Sequence, residues 1–354
     1  MNRKTSTVLA AAVAAGLLAA ATLAAQGVPA GLANADLQQR AVPSGLEQAF
    51  SGLVAARQAP GWVAWSVAAI PGDHRSCDAG RDDGVVHLES ARRRAGGRSR
   101  VTLEGPSEIL VFIRAEQRRV QKIRVISPDC EIDAGGLPVH WLTGVNPSES
   151  VTLLASFARD LARAPHRSLG NGALTAIALH RDAAALAALR RFVAAGQPNE
   201  LRKQAAFWLA AARGREGFET IEALLPDADP AFRAELTFPI HVSKEADAGE
   251  ILVRMARGDE SPKVRRQALF WLGQKAGAKA LATIEGAIEN DPDTEVKKRA
   301  VFALSQMPKD EGVPRLMEIA RSHRNLEVRR QAMFWLGQSN DPRALAFFEE
   351  ILKR

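Results

Sequence analysis

Two cysteines and a nearby histidine are the residues whose types and spacing are best suited to chemistry. Cys77 and Cys130 stand 53 residues apart in the N-terminal half. In an oxidising compartment such a pair forms a disulfide, which is the interpretation we favour. His74 and Cys77, spaced H-x-x-C, form with Cys130 an alternative metal site that lacks a clear fourth ligand. A free thiol of low pKa at either cysteine would instead indicate an enzyme.

The acidic segment around Cys130 offers oxygen ligands. Asp129, Glu131 and Asp133 either bind a cation or flank a disulfide anchor, and we favour the anchor because acidic loop residues are usually solvated. The motifs G-x-S-x-G, H-E-x-x-H, G-x-G-x-x-G, C-x-x-C-H and the Walker loop are all missing. The sequence therefore predicts no catalytic residue, metal or cofactor, and it favours a protein that is not an enzyme without excluding one.

Composition places the chain among ordinary globular proteins. It has 354 residues, of which 46% are hydrophobic and 25% charged, with a net charge of +7. These values exclude a wholly disordered chain, a collagen and a polytopic membrane protein. The length suits two domains.

The N-terminus has the pattern of an export signal. A positively charged start precedes an apolar run over 8–25, and Ala33-Asn34-Ala35 places small residues where a signal peptidase cuts. We predict a signal peptide over 1–35, with a second possible cut nearer Ala24 or Ala25. The alternative is an uncleaved membrane anchor, since about 18 apolar residues just span a bilayer. Cleavage predicts a periplasmic or secreted protein with no stable membrane span.

The C-terminal half is built on a repeat. The segment LRKQAAFWL at 201–209 recurs as VRRQALFWL at 264–272 and as VRRQAMFWL at 328–336. A weaker copy is VKKRAVFAL at 296–304, and two degenerate copies begin at 169 and 232. A period this regular predicts six stacked units.

Each unit has the pattern of two helices. In the unit that begins at Val296, Ala300 and Leu304 continue one apolar side, and Pro308 separates it from a second amphipathic stretch. Pairs of this length bury their apolar faces only by stacking on one another. The pattern D-P-x-x-x-V-R-x-x-A-x-x-x-L over about 149–354 resembles HEAT repeats, in the short bacterial form related to phycobilisome lyases.

That resemblance implies a fold but says almost nothing about function. The implied fold is an all-α solenoid, a HEAT-like α-α superhelix of about six repeats. Some HEAT-repeat proteins are iron hydroxylases with paired His-Glu dipeptides on successive repeats. This sequence contains no His-Glu step, which argues against that activity.

Two columns of residues recur on the first helix of each unit, away from the predicted core. One column is basic and the other is phenylalanine, four residues further on: Lys203, Arg266, Lys298 and Arg330 beside Phe207, Phe270, Phe302 and Phe334. We call these eight residues the basic-aromatic stripe. Either the rings pack on the neighbouring repeat under the basic stems, or the stripe binds an acidic, partly apolar partner.

A third column begins one residue earlier. Its members are Arg202, Arg233, Arg265, Lys297 and Arg329. In HEAT-like repeats this position usually pairs with an aspartate of the preceding turn, and the candidates here are Asp229, Asp259 and Asp291. The tryptophans Trp208, Trp271 and Trp335 share one slot and are predicted to fill the core.

Residues 36–147 are predicted to form a small β-rich (α+β) domain ahead of the solenoid at 148–354. Short strands are predicted near 61–69, 85–88, 100–103, 109–115, 119–126 and 139–142, in an antiparallel sheet, with a short helix within 36–58. An arginine-rich loop at 91–100 is either a solvated flexible loop, which we favour, or a contact for nucleic acid, anionic lipid or cell-wall polymer. Export and the lack of interleaved aromatic residues argue against nucleic acid.

Together these features favour an exported, non-catalytic scaffold that binds another protein, with an acidic surface, in the cell envelope. The alternative is an enzyme, or a lyase or chaperone-like activity, that uses a thiol of Cys77 or Cys130.

Overall fold

The computed structural model describes residues 27–72, 74, 76–77, 85–89, 105–162, 167–275 and 277–353. Most of the predicted signal peptide, the predicted strand at 100–103 and the loop at 91–100 lie outside these residues. The chain divides into two compact units, residues 1–205 and 206–354. Within the described residues, no helix is both long and apolar enough to cross a bilayer.

The N-terminal unit contains two small sheets. Its strands are β1 Leu32–Ala33, β2 Asp36–Ala41, β3 Gly61–Ala68, β4 Val86–His87, β5 Glu108–Glu116, β6 Arg119–Ile126, β7 Ile132–Asp133 and β8 Pro138–Thr143. One sheet has the order β2-β8-β3-β5-β6 and the other has the order β1-β7-β4. The predicted short helix is α1, Leu46–Ala56.

The five-stranded sheet is mixed, so the prediction of an antiparallel sheet is wrong. β5 is antiparallel to both β3 and β6, but β8 pairs in parallel with both β2 and β3. The reason is that α1 carries the chain from β2 across to β3, and such a crossover makes the strands at its two ends parallel. β3 is buried over nearly its whole length, and Phe112 contacts Trp62 and Trp141 edge to face at 6.2 and 6.1 Å.

Helices make up the rest of the described chain. They are α2 Pro147–Ala158, α3 Arg167–Leu179, α4 Ala183–Val193, α5 Asn199–Ala212, α6 Gly214–Leu224, α7 Pro230–Val242, α8 Ala248–Gly258, α9 Pro262–Gly273, α10 Ala278–Asn290, α11 Thr294–Ser305, α12 Lys309–Ser322, α13 Leu326–Gln338 and α14 Pro342–Leu352. The first helices of the repeats begin at 167, 199, 230, 262, 294 and 326. Their spacing confirms the predicted repeat and its solenoid.

Within the C-terminal unit, the first helices of successive repeats pack side by side. α9 lies between α7 and α11, and α13 follows α11. Val264, Ala268 and Leu272 of α9 are buried, as the helical pattern predicts. Gly273 allows a close approach, because a Cβ atom there would lie 2.7 Å from the carbonyl oxygen of Ala303 on α11.

An arginine-aspartate ladder joins neighbouring repeats, but in the direction opposite to the prediction. Arg265 donates two hydrogen bonds to Asp291, at 2.7 and 2.9 Å, so the carboxylate belongs to the turn that follows the repeat. Arg233 and Asp259 are paired in the same way. The preceding turn contributes a carbonyl instead, because helical side chains lean toward the N-terminus. Asp229 caps α7, where its side chain accepts from the Ala231 and Phe232 amides at 3.0 Å.

The first repeat packs against the sheet of the N-terminal unit. α3 lies against β6, and a Cβ atom at Gly172 would meet the carbonyl oxygen of Ile123 at 2.5 Å. The end of α3 also joins the end of β3, because the Arg181 amide donates to the Ala68 carbonyl at 2.8 Å. The sheet therefore covers one side of this repeat.

Candidate protein-binding face

The two cysteines form a disulfide, as predicted. Cys77 and Cys130 are bonded to each other, and Cys130 lies in the core beneath the sheets. A bonded sulfur is neither a thiolate ligand nor a nucleophile. The bond therefore removes the free thiol that the enzymatic alternative requires, and the thiolates that a metal site with His74 would need.

The acidic segment beside the disulfide holds strands together. Asp133 accepts hydrogen bonds from the Gly135 amide at 2.8 Å and from the Asn34 side chain at 2.9 Å. The same carboxylate contacts Nδ1 of His87 at 2.8 Å. These hydrogen bonds, led by the one from Gly135, hold the pKa of Asp133 below its ordinary value. Because β1, β4 and β7 meet at this carboxylate, its position fits the anchor interpretation.

The phenylalanines of the stripe form part of one aromatic column along α5, α7, α9, α11 and α13. Its members are Phe207, Phe238, Phe270, Phe302 and Phe334. The sequence analysis missed Phe238, because its repeat is degenerate and has Ala234 in the basic position. The spacing alone could have found it, since Phe238 lies six residues after Phe232, as Phe270 does after Val264.

Ring contacts along the column depend on which residue follows each phenylalanine. Phe238 packs on Trp271 of the next repeat at 4.9 Å between ring centroids, and Phe302 packs on Trp335 at 4.8 Å. The repeats of Phe238 and Phe302 have Pro239 and Ala303 in the tryptophan slot. With no tryptophan in that slot, the phenylalanine of the preceding repeat stacks directly on the phenylalanine of this one. The ring centroids are 5.8 Å apart for Phe207 and Phe238 and 6.0 Å apart for Phe270 and Phe302. The column is therefore a packing element between repeats.

The same column remains open to solvent. Phe207, Phe270 and Phe302 are half-buried, Phe238 is 38% exposed and Phe334 is 54% exposed. Trp271 and Trp335 are also half-buried, where the prediction placed them in the core. Their buried indole N–H groups have no hydrogen-bond partner in the part of the chain that the structure describes. The column thus presents an apolar face to solvent.

Three of the four basic residues of the stripe pair with a glutamate three positions earlier on their own helix. The pairs are Lys203 with Glu200 at 3.6 Å, Lys298 with Glu295 at 2.9 Å and Arg330 with Glu327 at 2.8 Å. Such exposed pairs contribute only about 0–1 kcal/mol. A carboxylate of a partner protein can therefore replace the glutamate in each pair at little cost in free energy.

Arg266 has different surroundings. The residue three positions earlier is Lys263, so the helix offers no acid there. On the next repeat, the Arg299 guanidinium lies over the rings of Phe270 and Phe302, at 4.7 and 4.9 Å from their centroids. Burial, and then repulsion from Arg266, lower the pKa of Arg299.

Comparison with known proteins agrees with the helix pairs. A family model described as HEAT repeats matches residues 249–322 and 285–354. The helices in residues 249–354 are therefore similar to HEAT repeats. No curated protein matches the sequence. Among solved structures, human deoxyhypusine hydroxylase in complex with glycerol is similar at 15% identity and a TM-score of 0.27, over 58% of this chain and 90% of that chain. A likeness this weak carries no argument about function.

Proposed function

We propose that this protein is an exported, non-catalytic scaffold whose HEAT repeats bind another protein in the cell envelope through the basic-aromatic stripe. The observation that carries the proposal is the aromatic column, which packs between repeats and still leaves Phe238 and Phe334 more than one third exposed. Exposed apolar surface with a polar rim is typical of interaction sites. Stacked repeats extend such a surface over many residues.

The basic residues indicate the chemistry of the partner. The side chains of Lys203 and Lys298 are 31% and 29% exposed, and that of Arg330 is 65% exposed. A column of exposed cations beside apolar rings is complementary to an acidic surface with apolar side chains. We therefore infer a partner of that kind, rather than a nucleic acid.

Export is supported by the leader pattern and by the disulfide, because such bonds persist in oxidising compartments. The position of β1 favours the shorter leader. β1 pairs with β7, and Asn34 donates to Asp133, so a cut after Ala35 would remove part of the sheet. A cut near Ala24 or Ala25 retains it. We assign the repeats to the short bacterial form that the motif resembles.

The test uses a variant that alters the stripe where it is most exposed. Phe334→Ser with Arg330→Gln removes an apolar ring and a cation, and we expect binding to weaken at least about tenfold. Envelope proteins cross-linked to the purified wild-type chain would be identified, purified and titrated against both forms by calorimetry. Leu345→Ser with Arg315→Gln is the matched control, since Leu345 is 63% exposed and lies outside the stripe.

Two results would contradict the proposal. One is a purified partner that binds the stripe variant as tightly as the wild type. The other is turnover of a substrate by the purified chain, which would contradict the non-catalytic role.

A further inference from the structure

One interface between repeats, α9 with α11, departs from the pattern at three positions. Lys263 stands where the other repeats with a basic stripe residue have glutamate, at Glu200, Glu295 and Glu327. Arg299 stands where three others have glutamine, at Gln204, Gln267 and Gln331. Ala303 stands where three others have tryptophan, at Trp208, Trp271 and Trp335. Two of these changes add positive charge, and the third removes a ring.

The geometry shows what replaces that ring. Phe238 and Phe302 are covered by a tryptophan of the next repeat, whereas Phe270 is covered by Phe302 and by the guanidinium of Arg299. A guanidinium stacks through the face of its plane, and its N–H groups point out from the edge. With its guanidinium over the two rings, Arg299 donates no hydrogen bond to any residue that the structure describes, so its N–H groups can meet another acceptor.

Three positively charged side chains lie together at this interface. Lys263 and Arg266 lie three residues apart on one face of α9, and Arg299 is close enough to Arg266 for their repulsion to be felt. In the described parts of the chain, none of these three side chains forms an ion pair. Like charges gathered without a counter-charge are unfavourable, and a bound anion would relieve that repulsion.

A second interface within the chain serves as a comparison. Phe207 and Phe238 stack as Phe270 and Phe302 do, with ring planes 9° and 4° apart. At that interface the position of Arg299 is occupied by Glu235. Stacking of two phenylalanines therefore does not require an arginine, so packing alone does not explain Arg299.

We propose that Lys263, Arg266 and Arg299 bind a carboxylate of an acidic peptide segment, whose neighbouring apolar side chain lies on Phe270 and Phe302. The planar fork of arginine matches a carboxylate with two parallel hydrogen bonds. The rings beside it suit an apolar residue next to the acid. The inference rests on the proposed function and narrows the partner to a protein with an exposed acidic-apolar segment.

The experiment selects peptides from a random library of displayed peptides on the immobilised full chain. We expect enrichment of an Asp or Glu next to an apolar residue. A synthetic copy of the enriched peptide is then titrated by fluorescence anisotropy against Arg299→Gln and against Lys263→Glu. Each change restores the residue of other repeats, so the fold should persist. We expect each to weaken binding at least about tenfold, which is the size of a charge-assisted hydrogen bond.

The controls separate charge from position. Arg254→Gln removes one positive charge from α8, as Arg299→Gln does from α11, and should leave the affinity unchanged. Arg299→Lys keeps the charge but loses the planar fork, and it should weaken binding partly. Lys263→Glu supplies Arg266 with a partner without touching Arg299, so it tests the site even if Arg299→Gln unfolds the repeat. A peptide in which the Asp or Glu is replaced by Asn or Gln should bind the wild-type chain as weakly as the acidic peptide binds Arg299→Gln or Lys263→Glu.

Several outcomes would overturn the inference. They are enrichment of peptides without an acid, an affinity that neither Arg299→Gln nor Lys263→Glu changes, or selection of no peptide while phosphatidylglycerol vesicles bind the wild type alone. If the identified protein partner still loses affinity for the Phe334→Ser, Arg330→Gln variant, the proposed function stands without this site. If the partner binds that variant normally, the proposed function fails independently.

Discussion

Single residues of the ladder determine how firmly neighbouring repeats join. Arg265 is 7% exposed and Asp291 is 8% exposed, and the guanidinium also donates to the Asp259 carbonyl at 2.8 Å. A buried charge without its partner is far less favourable than an apolar pair of the same size. The next rung differs, because Lys297 donates to the carbonyls of Ile288 and Glu289, and its ladder slot holds His323.

Asp291→Ala is expected to lower the free energy of unfolding by about 3–5 kcal/mol, because it leaves the buried guanidinium of Arg265 unpaired. Urea unfolding followed by circular dichroism measures this loss. The double change Arg265→Leu with Asp291→Leu should cost clearly less, since no charge is then left buried. A loss below about 1 kcal/mol for the single change would contradict the ladder.

Helices were the elements that the sequence predicted best. Their apolar positions recur every three or four residues, so the pattern around Val264, Ala268 and Leu272 is local and needs no knowledge of the fold. The direction of the Arg265 ladder was not predictable, because it depends on which turn the next repeat places beside the side chain. Part of the candidate site could be predicted, because the residues of the stripe recur with the repeat. The role of Arg299 could not, because it depends on rings from two repeats.

The close approach of α9 and α11 is a second property of the helices. Gly273→Ala is expected to destabilise the α9–α11 interface, because the added Cβ would lie 2.7 Å from the Ala303 carbonyl oxygen. Gly286→Ala is the matched control within α10, where a Cβ atom meets nothing within 4 Å. We expect that control to stabilise by about 0.5–1 kcal/mol through helix propensity. Thermal unfolding of the two variants should therefore shift in opposite directions, and a shared direction would contradict the packing.

At the scale of the whole molecule, each unit has its own source of stability. The C-terminal unit repeats one interface, whereas the N-terminal unit combines two sheets with a covalent bond. The sheet order was beyond the sequence, because the pairing of β8 with β2 and β3 depends on contacts far apart in the chain. β2 was missed because all six of its residues are exposed and its sequence does not alternate.

Reduction of the disulfide should destabilise the N-terminal unit by roughly 4 kcal/mol, from the entropy of the loop that it closes. Hydrogen exchange with and without a phosphine reductant measures the effect. Amides of 108–143 should lose protection, while those of 262–338 should not change, because both cysteines lie in the other unit. The variant Cys77→Ser with Cys130→Ser should show the same loss and no response to reductant. An equal loss of amide protection in both units would contradict the conclusion that the disulfide stabilises the N-terminal unit alone.

The place of β8 determines when the sheet can form. β8 is the last strand in the sequence, yet it lies between β2 and β3, and β1 likewise waits for β7. The three-stranded sheet cannot be completed before residue 133 has been synthesised, nor the five-stranded sheet before residue 143. For the export proposed above, passage through a membrane channel from the N-terminus would leave this unit unassembled until its last strands have crossed, and the disulfide would then form in the oxidising compartment.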